Sequence, residues 1–174
     1  MFRALQPFAI PAVLSCLLTS CSSTPSSPQN LKAGSTQVVL PDETNAGETL
    51  ITTIPGRHAS ISELVRNLLV NARYAGDSRA TQYFDRPPGW EGRSKETGVK
   101  SLAHYFQGAR IVDKGAGVVL SFSSKALAYF DRSLFAWMVT GAPIADTIRL
   151  NYPSISKFYW EFDGQVRDAE DWGA

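Results

Sequence analysis

His58 and His104 are the chain's two histidines, so any hydrolytic or metal site built on imidazole has to use one or both. Neither falls in an HExxH or HxxxH spacing, so no single helix turn presents paired imidazoles to zinc. His58 lies just ahead of Ser60-Ile61-Ser62-Glu63 and His104 sits within SLAHYF, settings that suit surface or satisfied histidines. Serine chemistry has no better pattern. Ser121, Ser123 and Ser124 stand near Lys125, but a Ser-x-x-Lys motif needs a serine where Phe122 is found, and the Ser124 hydroxyl suits a helix cap. Asp163, Asp168, Glu170 and Asp171 gather near the C-terminus and offer carboxylates for acid-base work or calcium; they lack EF-hand spacing, and terminal charge runs are usually solvated. The glycine-rich Asp113-Lys114-Gly115-Ala116-Gly117 has neither the lysine nor the following helix of a phosphate-cradling loop. The expectation is a protein that is not an enzyme, with no metal site and no cofactor.

Cysteine is the exception. Cys16 and Cys21 are the only two cysteines of the 174 residues, so everything after Cys21 is without disulfide or thiolate zinc. Ahead of them, MFRALQPFAIPAVLSCLLTS carries one charge, Arg3, then an apolar run that is short for a spanning helix and interrupted by Pro7 and Pro11. A signal-peptide core fits this pattern. Leu18-Thr19-Ser20-Cys21 resembles the bacterial lipobox, in which a small residue precedes a cysteine that is acylated and becomes the new N-terminus. Cys16, preceded by Leu14 and Ser15, leaves a shorter apolar core. Buried acyl chain stabilises by ~0.8 kcal/mol per CH₂, so firm anchoring takes two or more chains, as lipoproteins of this kind carry.

Removing a leader over 1–20 takes Arg3 with it, and the 17 basic and 16 acidic residues become 16 and 16. A neutral chain does not point to nucleic acid or to an anionic bilayer surface as partner. Residues 21–35, with SSTPSSPQNLKAGS after the cysteine, hold too few apolar side chains to offset the entropy of ordering and read as a tether.

The elements that must position any site begin after it. Thr36–Leu40 (TQVVL) and Glu48–Ile54 (ETLITTI) are β-branched and bounded by turn residues, which predicts two short strands. Ser60-Ile61-Ser62-Glu63 is a capping box, and Ile61, Leu64, Val65, Leu68 and Leu69 follow at one-face helical spacing. Residues 74–98 have no period; Trp90, between Gly89 and Gly92, is either an exposed platform for a sugar or partner or a ring folded over the core. Ala109–Val112 and Val118–Phe122 predict a hairpin around DKGAG. A helix capped at Ser123 or Ser124 is expected to carry Leu127, Phe130, Leu134, Trp137 and Met138 and to break at Gly141 and Pro143. A shorter piece with Ile144, Ile148 and Leu150 comes next. Ile155–Phe162 alternates Phe158, Trp160 and Phe162 with polar positions and ends at Asp163-Gly164, as a half-buried strand does. RDAEDWGA reads as a frayed acidic tail over 167–174. The order predicts an α+β fold, a small two-layer sandwich of βαββαβ type with helices packed on one face of a mixed sheet.

Several of these stretches together resemble the GerMN domain, a module of bacterial envelope and sporulation-associated proteins. They are Ser62-Glu63-Leu64-Val65-Arg66-Asn67-Leu68-Leu69, Gly98-Val99-Lys100-Ser101-Leu102, Gly108-Ala109-Arg110-Ile111-Val112, Gly117-Val118-Val119-Leu120-Ser121-Phe122-Ser123, and Ile155 to Gly164. The likeness covers most of the region from about Thr36 to Gly164, within a domain read as 36–166, and implies a fold related to the ring-building modules of secretion systems, with protein-protein contact as its role and no shared catalytic residues. One copy is present, which implies a general envelope role. The expected protein is a non-catalytic lipoprotein. Lipid on Cys21 holds it to the outer membrane of a two-membrane bacterium, as Ser22 favours, or otherwise to the cytoplasmic membrane, with the domain outside the cytoplasm and another envelope protein as partner. The alternative is an envelope hydrolase or glycan-binding protein acting on peptidoglycan, with Trp90 as platform and the histidines or C-terminal carboxylates as its chemistry.

Overall fold

A computed structural model describes residues 34–42, 48–73, 83–85, 87, 100–130 and 134–167. The leader, Cys21, the tether, Trp90 and the acidic tail beyond 167 lie outside the described residues. No described helix is long and apolar enough to cross a membrane.

The α+β class holds, and its strands divide between two sheets. β1 (Ser35–Pro41) and β2 (Thr49–Pro55) form an antiparallel pair with Val38 opposite Thr52. The second sheet has the order β3-β4-β5-β6, with β3 (Phe106–Val112), β4 (Gly117–Phe122), β5 (Lys157–Phe162) and β6 (Gln165–Arg167). β4 and β5 run parallel while the outer pairings are antiparallel, so the sheet is mixed. β6 was not expected from the sequence. It exists because Asp163 and Gly164 both adopt positive φ, 47° and 82°, the conformation a two-residue hairpin turn requires and Asp-Gly supplies.

α1 (Ile61–Asn71) buries Ile61, Leu64, Val65, Leu68 and Leu69, as its spacing predicts. Its cap differs from the expected box in one detail. Ser60 Oγ accepts from the Glu63 N–H at 3.2 Å, but Glu63 Oε2 reaches past Ser60 to accept from the Ala59 N–H at 2.6 Å. Two more buried side chains come from the aperiodic stretch. Tyr83 and Phe84 pack edge to face on the core, and their backbones bond Ala72 and Leu102.

The second helical region departs from expectation. Ser124–Tyr129 is a 3₁₀ segment, and Ser123, its N-cap, makes no side-chain capping bond. The helix does not break at Gly141. It runs from α3 (Leu134–Ala136) through a π-helical turn (Trp137–Gly141) into α4 (Ala142–Asn151). Pro143 lies in the first turn of α4, where its missing N–H falls in the widened ladder of the π turn. Gly141 stays because the Trp137 ring occupies the space a Cβ would need. Met138 and Leu150, both placed on helices by spacing, are exposed.

One face of the four-stranded sheet carries the aromatic core. Leu120 is opposite Trp160 and Phe122 opposite Phe162. Phe122 stacks on both rings, with centroids 6.2 and 6.0 Å away, and Phe130 closes on Trp160 at 5.2 Å. The other face is polar. Arg110 pairs with Glu161 at 3.0 Å, Ser121 donates to Glu161 at 2.8 Å, and Tyr159 donates to Asp113 at 2.9 Å.

Strand edges are closed by helix hydroxyls. Thr147 of α4 accepts from the Val39 N–H at 2.9 Å and donates to the Val39 carbonyl at 3.4 Å, and four residues on Asn151 donates to the Gln37 carbonyl at 2.9 Å. Ser62 of α1 does the same for β3, accepting from the Ala109 N–H at 2.7 Å and donating to its carbonyl at 2.8 Å. Thr147 is fully buried, so Thr147→Val keeps the shape and strands the Val39 N–H away from water. Urea unfolding of the full chain should show a loss of about 1–3 kcal/mol; a change below about 0.5 kcal/mol, the range of an ordinary surface substitution, would sink the edge-closure account.

Candidate functional site

The two histidines are held in different settings. His58 precedes α1, with Nδ1 3.4 Å from Thr36 Oγ1 and its ring 5.9 Å from Tyr152. His104 is on α2 (Leu102–Tyr105), exposed, and lines a cleft of about 470 Å³ with Lys100, Tyr105, Ser123, Ser124, Lys125 and Asp163. No group of three or more His, Cys, Asp or Glu able to hold a metal occurs among the described residues.

The cleft is assembled from separate parts of the chain, each fixed for its own reason. Lys100 is held on its backbone: its N–H donates to the Tyr105 hydroxyl at 3.1 Å, and its carbonyl accepts from the Tyr129 hydroxyl at 3.0 Å. Burial, with Tyr105 and Asp85 nearby, pushes the Tyr129 phenol well above its ordinary value, so it stays a proton donor. Ser123 arrives at the end of β4, its N–H bonded to the Tyr105 carbonyl at 2.9 Å. Asp163 arrives from the β5–β6 turn, and its own N–H bonds the Phe122 carbonyl at 3.0 Å.

Asp163 supplies a cap from a distance. Its Oδ2 accepts the Ser124 N–H at 3.0 Å, so a carboxylate from the far hairpin satisfies the first free backbone donor of the 3₁₀ segment. Hydrogen bonds from the Ser124 hydroxyl and N–H hold the Asp163 carboxyl below its ordinary 3.8. The group is therefore ionised and occupied at neutral pH.

What the cleft offers is two ammonium groups, one imidazole, three hydroxyls, of which that of Tyr105 accepts from the Lys100 N–H, and a carboxylate already engaged as a cap. No hydrogen bond joins His104 to Ser123, Ser124 or Asp163 among the described residues, so the nucleophile–base–orienter chain of a serine hydrolase is not assembled. Sequence spacing sets Ser123 and Ser124 beside Lys125, Asp163 among the C-terminal carboxylates and His104 by itself, and gives no role to Lys100 or Tyr105 in a site. Their juxtaposition depends on the β4–β5 pairing, which no local spacing encodes. Asp168, Glu170 and Asp171, like Trp90, fall outside the described residues.

Comparison with protein-family models, with curated proteins and with solved structures finds no match.

The lowered Asp163 value sets a pH dependence. A carboxyl whose folded value lies below its unfolded one adds stability at higher pH, and the gain is lost as pH falls from about 3.8 through the lowered value. Asp163→Asn, which tolerates the same positive φ, should flatten the stability profile in that acid window. An NMR titration of the carboxyl in Ser124→Ala should show its value moving back toward 3.8. An unmoved value would remove the Ser124 hydroxyl from the account.

Proposed function

We propose that the chain is a lipid-anchored protein of the bacterial cell envelope whose GerMN-like α+β domain acts through protein-protein contact rather than catalysis. The observation that carries this is Leu18-Thr19-Ser20-Cys21 at the end of a short, proline-broken apolar run, followed at once by a Ser/Pro-rich tether and then a folded domain. Each part has a physical role in that order. The acyl chains supply membrane affinity, the tether sets the reach, and the domain is left free to meet a partner. The GerMN likeness rests on the short motifs and on the order of elements, since no family model matches. The non-catalytic role is supported by a cleft in which the one carboxylate serves as a backbone cap. Localisation follows from the anchor: outer membrane where there are two membranes, cytoplasmic membrane otherwise.

Mass spectrometry of protein purified from bacterial membranes should find an acylated Cys21 as the N-terminal residue, and Cys21→Ser should move the protein out of the membrane fraction. An unmodified terminus elsewhere overturns the anchor. Pull-down from solubilised membranes with the anchor intact then identifies the partner.

A second reading, an envelope hydrolase or glycan-binding protein acting on peptidoglycan, draws on the gathering of His104, Ser123, Ser124 and Asp163 in one cleft. It requires that purified protein release soluble fragments from peptidoglycan and that His104→Ala reduce the release at least about 100-fold, the scale of a lost general base. The leading reading expects no release from either protein.

A further inference from the structure

We propose that β2 is a self-pairing edge, at which a second copy of this chain adds its own β2 in antiparallel orientation about Thr52. A strand edge is a row of N–H and C=O groups that pairs with another chain unless it is closed or charged. The β1 and β3 edges are closed by Thr147 with Asn151 and by Ser62. β2 has no such closure. Among the described residues, the only hydrogen bond reaching it from outside its hairpin is from Asn67 Nδ2 to the Pro55 carbonyl, at its last residue. The even-numbered positions of β2 face β1, so on its outer edge the backbone groups of Ile51 and Thr53 are left open, and the side chains of Leu50 and Ile51 are 38% and 57% exposed.

The strand also lacks the charge that blunts an exposed edge. TLITTIP contains no ionisable residue, whereas Glu48 stands just before it and Arg57 just after. Those two charges select the occupant and its direction. Antiparallel self-pairing brings the Glu48 end of each copy to the Arg57 end of the other, while parallel pairing would set like charge beside like charge. Full overlap of Thr49–Pro55 with itself centres on Thr52, placing Leu50 opposite Ile54 and Ile51 opposite Thr53. This is an isologous two-fold contact, which closes at two copies and does not propagate. It joins two β1–β2 pairs into one four-stranded sheet. The inference rests on the edge and its flanking charges and is independent of the anchor.

Residues directly opposite in an antiparallel pair have Cα atoms about 4.5–5.5 Å apart, within disulfide reach. The full chain carrying Thr52→Cys, expressed in a bacterial host and run without reductant, should give a dimer band at least about tenfold above the parent chain and above Ser156→Cys. Adding Ile51→Lys puts two like charges at diagonal positions about 7–8 Å apart across the pair. That should remove most of the band while leaving thermal unfolding of the chain unchanged, because Ile51 is exposed. No dimer from Thr52→Cys overturns the proposal, as does an equal band from Ser156→Cys. A cross-link to a chain of different mass also overturns it and assigns the edge to another protein.

Discussion

The parallel pairing of β4 with β5 is the constraint on which the domain turns. It puts Leu120 against Trp160 and Phe122 against Phe162, residues separated by the whole second helical region. Phe122 stacks on Trp160 and Phe162, and Phe130 meets all three from the end of the 3₁₀ segment. Burying a large aromatic side chain stabilises by roughly 1.5–3 kcal/mol, with more from ring geometry. The cluster therefore outweighs any polar contact on the sheet's other face, where an exposed pair such as Arg110–Glu161 is worth about 0–1 kcal/mol. A parallel pair needs a long crossover, and the helical region between the two strands is that crossover. Trp137 anchors it from the π turn, edge on to Trp160 at 5.3 Å. The π turn, Gly141 and Pro143 are the local accommodations that let one helix carry Trp137 to the core and Thr147 to β1.

The same crossover explains how two sheets share one domain. A sheet edge placed beside a helix has backbone groups that must be satisfied, and here single hydroxyls do it, each taking one residue's N–H and C=O together. Asn67 and Asn71 add side-chain bonds along α1, linking it to the end of β2. The helices thus act as edge strands would, without the register a strand would impose.

The sequence carried the elements governed by local rules. Capping at Ser60, the buried stripe of α1, the DKGAG hairpin and the alternation of Phe158, Trp160 and Phe162 are all short-range signals, and the structure contains each of them. The misses share a cause. Met138 has apolar spacing but is exposed, because it lies in the π turn, which shifts the helical phase that a constant period assumes, while Leu150 is two residues from the buried Ile148 and so lies on the opposite side of α4. Ser124 has a capping hydroxyl, but hydroxyl and backbone N–H both go to Asp163, thirty-nine positions away in the chain. Tyr83 and Phe84 reach the core from a stretch without period because backbone bonds to Ala72 and Leu102 place them. The cleft was illegible for the same reason: the Asp-Gly turn is a local signal, but what carries it to Ser123 and Ser124 is the β4–β5 register, a tertiary fact.

A division of bonding capacity separates the inert surfaces from those left open for contact. The polar face of the four-stranded sheet is satisfied internally through Arg110, Ser121, Glu161, Asp113 and Tyr159. A partner there would have to break those bonds and gain little, since most of them already compete with water. The edges of β1 and β3 are likewise spent on Thr147 and Ser62. In the cleft, Asp163 and the Lys100 backbone are committed to structure, which leaves the Lys100 and Lys125 side chains as exposed cationic tips beside the His104 imidazole. Cationic groups held this way contribute orientation and encounter rate to a contact more than they contribute affinity. Affinity needs apolar area or unpaired backbone, and among the described residues the outer edge of β2 supplies both, through the exposed Leu50 and Ile51 side chains and the open backbone of Ile51 and Thr53. On the proposed pairing, the β2 edge would supply the affinity and the charged groups of the cleft would act on the approach.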